Sequence, residues 1–113
     1  SVTGHHWVGV VVGFLTGDIT ECAVTNSTIS CTHLNGEACG DKAGSIVGYI
    51  NSGSVSKTSA TNCSVTVGRD GGQIVGASKT DYVSSCSVEN VTVTAAGDCT
   101  GANIRNEVIG RIL

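Results

Sequence analysis

Apolar and polar residues alternate along most of this chain, in short runs broken by glycine, asparagine and serine. A period of two predicts half-buried strands, and the punctuation predicts tight turns between them. In "GSIVGYI" (44–50) the alternation places Gly44, Ile46, Gly48 and Ile50 on one face, and Ser45, Val47 and Tyr49 on the other. The same frame, G-x-[I/V]-V-G or close to it, recurs as "VGVVVGFL" (8–15), "AGSIVGYI" (43–50), "GGQIVGAS" (71–78) and, more loosely, "NEVIGRIL" (106–113). Its last glycines are Gly13, Gly48, Gly76 and Gly110, spaced by 35, 28 and 34 residues. A second block follows each of the first three frames: "CAVTNSTI" from Cys22, "CSVTV" from Cys63 and "CSVENVTV" from Cys86. The opening "SVTGHHWVG" aligns without a gap on "SVTVGRDGG" (64–72), so the repeat reaches the first residue.

A repeat of this length made only of strand-like blocks cannot bury an apolar face alone. Stacked as parallel rungs about 4.8 Å apart, such repeats can. The expected fold class is therefore all-β: a parallel β-solenoid, right-handed β-helix or β-roll, of about three to four coils with variable loops. Residues 1–113 read as one segment of it, with repeat frames ending near 13, 48, 76 and 110. Half-written repeats at both ends predict a longer solenoid, or ends covered by another domain or another copy, with end-to-end self-association of the isolated chain. A chance-similar antiparallel sandwich would not rewrite one frame, and helical repeats would not be β-branched and glycine-punctuated.

In that register Val11, Ile46, Ile74 and Val108 form a ladder assigned to the interior. The neighbouring ladder of Val12, Val47, Val75 and Ile109 falls outside on strict alternation, and inside if the strand bends at a corner. Cys22, Cys63 and Cys86 share one repeat position, which predicts a stacked interior ladder with Cα atoms about 5 Å apart. Three stacked cysteines leave one unpaired, and a small apolar thiol suits a narrow core, so reduced structural cysteines are expected.

Composition changes the picture in three respects. Only 4% of residues are aromatic, so the core must be built from Val, Ile, Ala and Cys. Sixteen glycines and no proline favour turns at positive φ and uninterrupted ladders. The net charge of −3, with six scattered Lys and Arg, supplies no basic stripe, so nucleic acid is not an expected partner. No apolar run approaches the roughly 18 residues of a membrane span.

With these blocks laid out, the chain resembles the glycine-rich GLUG-type repeats of bacterial cell-surface proteins, which read roughly G-G-[I/L]-V-G, a short glycine turn, then [I/V]-x-x-C-x-[V/A]. "GVVVGFLTGDITECAV" (9–24) matches almost throughout. "GSIVGYINSGSVSKTSATNCSV" (44–65) matches with a lengthened turn, and "GGQIVGASKTDYVSSCSV" (71–88) lacks the mid-turn glycine. The resemblance covers most of the chain, apart from the loops near 31–42 and 94–106. It implies a β-helix or similar roll on the cell surface or outside the cell, adhesin-like, and it carries no catalytic residues onto this sequence.

Candidate chemistry is sparse. His5 and His6 are adjacent and on a strand would face opposite ways, so they cannot chelate one metal. His33 shares a loop with Asn35, Glu37 and Asp41, where a solvated loop is favoured over a metal site. "GRDGGQ" lacks the calcium nonapeptide pattern, and there is no C-x-x-C, G-x-S-x-G or phosphate-binding glycine loop. Asp18, Glu21, Asp70, Asp81, Glu89 and Asp98 are scattered, without the paired acids of a polysaccharide-cleaving cleft. No enzyme activity, cofactor or metal is expected. Sequons occur at Asn26, Asn62 and Asn90; Asn26 and Asn90 each fall four residues after a repeat cysteine and read as stacked asparagines.

The leading expectation is a non-catalytic segment that displays or binds glycan or a host surface protein. The candidate contacts are Trp7, Phe14 and Tyr49, with Tyr82 the remaining aromatic. Trp7 is not a repeat residue and serves either a ligand or the covering of an exposed coil. The alternatives are a fragment of a polysaccharide-degrading β-helix and an ice-binding β-solenoid. The latter needs a T-x-T array: Thr3, Thr25 and Thr66 align, but Glu89 takes the next place and "VTVT" (91–94) has no counterpart, so the array reads as broken.

Overall fold

The computed structural model describes residues 2–4, 6–31, 42–79, 83–95, 103–105 and 107–113, and every regular element among them is a strand. β1 (Val2–Gly4) comes first. The chain then passes through three sheets in a constant order, by β2 (Trp7–Val8) in sheet I, β3 (Val12–Thr20) in sheet II, and β4 (Ala23–Thr25) and β5 (Thr28–Cys31) in sheet III. The second pass is β6 (Lys42–Ala43), β7 (Val47–Ser56) and β8 (Ser59–Val67). The third is β9 (Asp70–Gly71), then β10 (Val75–Ser78) and β11 (Val83–Ser84), then β12 (Ser87–Ala95). A fourth opens with β13 (Asn103–Ile104) in sheet I and β14 (Ile109–Ile112) in sheet II. β1 pairs with β5 in sheet III.

All these pairings are parallel. The chain is thus all-β with parallel sheets, and each strand pairs with its counterpart from the next pass. The repeated frame sets the register of sheet II, where Val12, Val47, Val75 and Ile109 stand in line. Within the frame the chain bends at Ser45–Ile46 and again at Gln73–Ile74. At the bend one carbonyl serves two donors: the Ile46 oxygen accepts from the Val11 and Val12 nitrogens at 3.2 and 3.1 Å, and Ile74 does the same for Ile46 and Val47 at 3.1 and 3.0 Å.

That bend overturns strict alternation, because Ile46, Val47, Ile74 and Val75 are all fully buried. Both valine-isoleucine ladders therefore turn inward in the middle passes. The outer passes differ. Val108 is half-buried against the core, whereas Val11, expected inside, is 45% exposed. In the first pass Val10 and Val12 pack on the core instead, which leaves Val11 between them on the outside.

The frame's last glycine has a steric cause. Sheet I runs against the glycine column of sheet II, so a Cβ at Gly48 would lie 2.5 Å from the Val8 nitrogen. Gly13 and Gly76 meet the Trp7 oxygen and the Ala43 nitrogen at 2.6 Å in the same way. The interior is then filled by β-branched ladders such as Ile19–Val55, Ile29–Val65–Val93 and Cys31–Val67. Each fully buried side chain of this kind contributes roughly 1.5–3 kcal/mol.

The cysteine ladder is corrected. A register shift between Leu15 and Thr16 makes Asn51 an extra residue in β7, since Leu15 faces Ile50 and Thr16 faces Ser52. Continuing this register, Ala23 faces Ser59 and Ser59 faces Ser87, so the residues just before them, Cys22, Thr58 and Cys86, occupy one position. Thr58 Oγ1 lies 3.1 Å from Cys86 Sγ. Cys63 instead faces Val91, five residues further along its strand, and is buried there. Cys22, Cys63 and Cys86 are free thiols. Both positions read as a small residue followed two later by an aliphatic one, so matching C-x-V blocks could not tell them apart.

Two corners in sheets II and III repeat through the passes in left-handed backbone. Glu21, Lys57 and Ser85 have φ of 58, 51 and 52°, and Asn26, Asn62 and Asn90 have φ of 51, 54 and 54°. Asparagine tolerates this region better than most residues because its short amide bonds locally. Here the amides also stack: Asn62 Nδ2 donates to Asn26 Oδ1 at 3.3 Å and Asn90 Nδ2 to Asn62 Oδ1 at 2.9 Å.

Candidate functional site

The three aromatic residues singled out in the sequence come together where sheets I and II meet. Phe14 and Tyr49 are register partners on β3 and β7, with ring centroids 5.4 Å apart. Trp7, on β2, sits 5.0 Å from the Phe14 ring and 6.0 Å from Tyr49. Tilted rings at these separations attract edge against face. Trp7 and Phe14 are 45% and 43% exposed, while Tyr49 is buried against them. The result is a two-ring platform with a third ring as its support.

The same corner continues as a charged group in the following passes. Trp7 pairs with Lys42 and Lys42 with Asp70 along sheet I, while Tyr49 pairs with Ala77 and Ala77's column ends at Arg111 in sheet II. Lys42 Nζ is 3.2 Å from Asp70 Oδ2 and 5.6 Å from the Tyr49 ring centroid. Arg111 approaches Asp70 Oδ1 at 3.8 Å. Lys42 and Asp70 are both buried, so the carboxylate is tolerated only because cations flank it. Ala77 presents only a methyl where Phe14 and Tyr49 present rings in the earlier passes.

No sequence motif marked Lys42, Asp70 or Arg111, which lie far apart in the chain. The signal was positional: in the gapless alignment of 1–9 with 64–72, Asp70 falls opposite Trp7. The remaining candidates do not converge. His6 lies at the edge of this group, its ring centroid 6.4 Å from that of Trp7 and its carbonyl accepting from the Lys42 nitrogen at 2.7 Å. His5, His33, Asn35, Glu37, Asp41, Asp81, Tyr82, Asp98, Cys39 and Cys99 lie outside the described residues. Among the described residues no three His, Cys, Asp or Glu side chains gather as a metal site, and no helix is long and apolar enough to cross a membrane.

Sheet III carries a different surface, which corrects the broken T-x-T array. Thr92 and Thr94 do have counterparts: they face Ser64 and Thr66, which face Thr28 and Ser30, and Thr3 faces Ser30. Thr25 belongs to a separate column with Thr61 and Glu89. A groove of about 390 Å³ runs across the passes between Asn26, Asn62 and Asn90 on one side and Thr28, Ser64 and Thr92 on the other.

Comparison with known proteins adds no relative: no family model, no curated protein and no solved structure matches the chain.

Proposed function

We propose that the three parallel sheets are the walls of a β-solenoid akin to GLUG-type repeats, a non-catalytic segment of a bacterial surface or secreted protein, and that it binds glycan at the Trp7–Phe14–Tyr49 corner. The constant order in which the chain visits the sheets supports the solenoid. Three passes in succession repeat sheet I, sheet II, sheet III, and the fourth opens with sheet I and sheet II, each strand in parallel register on the last.

One observation carries the glycan reading: Trp7 and Phe14 present two adjoining exposed rings, held by Tyr49, beside a fixed charged group. In a chain so poor in aromatics, leaving two of them in contact with water calls for a use. A sugar's C–H face stacks on such rings, and its hydroxyls take charge-assisted hydrogen bonds from a neighbouring guanidinium. Arg111 is half-exposed and available for this. Asp70 is fully buried against Lys42, which disfavours a role as an acid or base toward substrate.

Trp7 is the only tryptophan, so its fluorescence reports on the corner directly. Titration with soluble oligosaccharides is expected to give a saturable change for at least one of them. Phe14→Ala should weaken that binding about tenfold, or about 1.4 kcal/mol. No response to any oligosaccharide, or equal binding by Phe14→Ala, overturns the glycan reading. Release of reducing sugar from a polysaccharide overturns the non-catalytic one.

A further inference from the structure

The outer face of sheet III is built unlike the aromatic corner, and it has no part in glycan stacking. Two columns of hydroxyl residues cross it. One is Thr28–Ser64–Thr92 and the other Thr3–Ser30–Thr66–Thr94. The residues between them, Ile29, Val65 and Val93, point inward and are buried. Parallel pairing sets neighbours within a column about 4.8 Å apart, and two steps along a strand set the columns about 6.6 Å apart. The face is therefore a two-dimensional lattice of hydroxyls.

Three features bear on what this lattice can hold. First, its hydroxyls are free for an outside partner. Among the described residues, the only hydrogen bond within the array joins Thr66 and Thr94, at a long 3.5 Å. The hydroxyls of sheet II are engaged by neighbouring side chains instead: Ser54 donates to the Asp18 carboxylate at 2.9 Å and Ser56 to the Thr20 hydroxyl at 3.3 Å. Second, the lattice carries no charge. β5, β8 and β12 contain no Lys or Arg, and Glu89 lies beyond the asparagine ladder in another column. Third, it is rigid. β8 and β12 stay paired from Ser59 and Ser87 to Val67 and Ala95, and threonine has few χ1 rotamers, so little freedom is lost on binding.

We propose that this face binds ice. Liquid water solvates any polar protein surface, but a crystal face has fixed spacings and rewards only groups that repeat at matching intervals. A charged side chain orders water radially around itself and disrupts that match. An uncharged lattice of hydroxyls and methyls, spaced by the sheet itself, lets the lattice water bond the hydroxyls while the methyls fill the gaps. The serines at 30 and 64 lack the methyl, so the array is incomplete at those two positions and can be improved.

The test is ice-affinity partitioning and thermal hysteresis of the full chain, with strand content followed by circular dichroism. The wild type should partition into slowly growing ice and facet it. Ser64→Lys puts a charge at the centre of one column on an exposed position, and should lower hysteresis several-fold with the fold intact. Ser30→Thr combined with Ser64→Thr should raise it. Ser64→Lys should leave the Trp7 response to oligosaccharide unchanged, so the two sites fail or succeed separately. Exclusion of the folded wild type from ice, or equal hysteresis in Ser64→Lys, overturns the proposal. Retention on crystalline chitin or cellulose through Ser64, without any effect on ice, overturns it as well and makes the face a polysaccharide surface.

Discussion

A Cβ at Gly48 would lie 2.5 Å from the Val8 nitrogen and 2.8 Å from both the Gly13 oxygen and the Trp7 carbonyl carbon. All three are backbone atoms, held by the pairing of β2 with β6 and of β3 with β7, so none can yield as a flexible side chain would. Gly48→Ala is therefore expected to destabilise the fold by about 3 kcal/mol or more, the upper range of overpacking. Urea denaturation measures it, and a cost under about 1 kcal/mol would mean that sheets I and II separate easily. The asparagine ladder makes the opposite use of a side chain. Asn62 accepts from Asn90 and donates to Asn26, so one residue ties three passes while its own backbone sits at φ 54°.

Among the elements, β7 and β8 decide most, because each pairs along both edges. The register across β8 places Cys63 five residues beyond the position that Cys22 and Cys86 share with Thr58. This has a direct chemical consequence. Cys31 and Cys63 are buried, whereas Cys22 and Cys86 are half-buried. Timed maleimide labelling of the native protein, mapped by mass spectrometry, should modify Cys22 and Cys86 well before the other two. If Cys63 reacts as fast as Cys22, the register of β8 given above is wrong.

For the whole molecule, stability is distributed unevenly across the passes. Leu15, Ile50, Ser78 and Ile112 occupy one column of sheet II, but Ile50 is fully buried and Ile112 is 57% exposed. A stack in which each pass contacts only its neighbours depends most on its middle. Ile50→Ala should cost about 3–4 kcal/mol, within the range for buried large-to-small changes. Ile112→Ala, at the same column position in the last pass, should cost less than about 1 kcal/mol. Similar losses from both, measured by denaturation, would show that the last pass is covered as fully as the middle.

How much of this was legible beforehand depends on the kind of information each feature carries. The four glycine frames predicted parallel rungs, and they pair at the positions aligned in the sequence, because glycine is demanded wherever two backbones touch and leaves a mark at each pass. The stacked asparagines were legible in part: Asn26 and Asn90 share an offset from Cys22 and Cys86, but Asn62, just before Cys63, joins them only through the strand register. The cysteine and threonine columns were not. Sequence matching aligned them by residue type, but an inward position accepts Cys, Thr or Val and an outward one accepts Ser or Thr, so identity there is a weak guide to register. Matching by type therefore slipped five residues along β8, from Thr58 to Cys63 and from Thr61 to Thr66, and only hydrogen bonding between strands could reveal it. The corner of Trp7, Phe14, Tyr49, Lys42, Asp70 and Arg111 depended on tertiary structure most of all. Its members come from four passes and two sheets, and what gathers them is the close approach of those sheets over the glycine column.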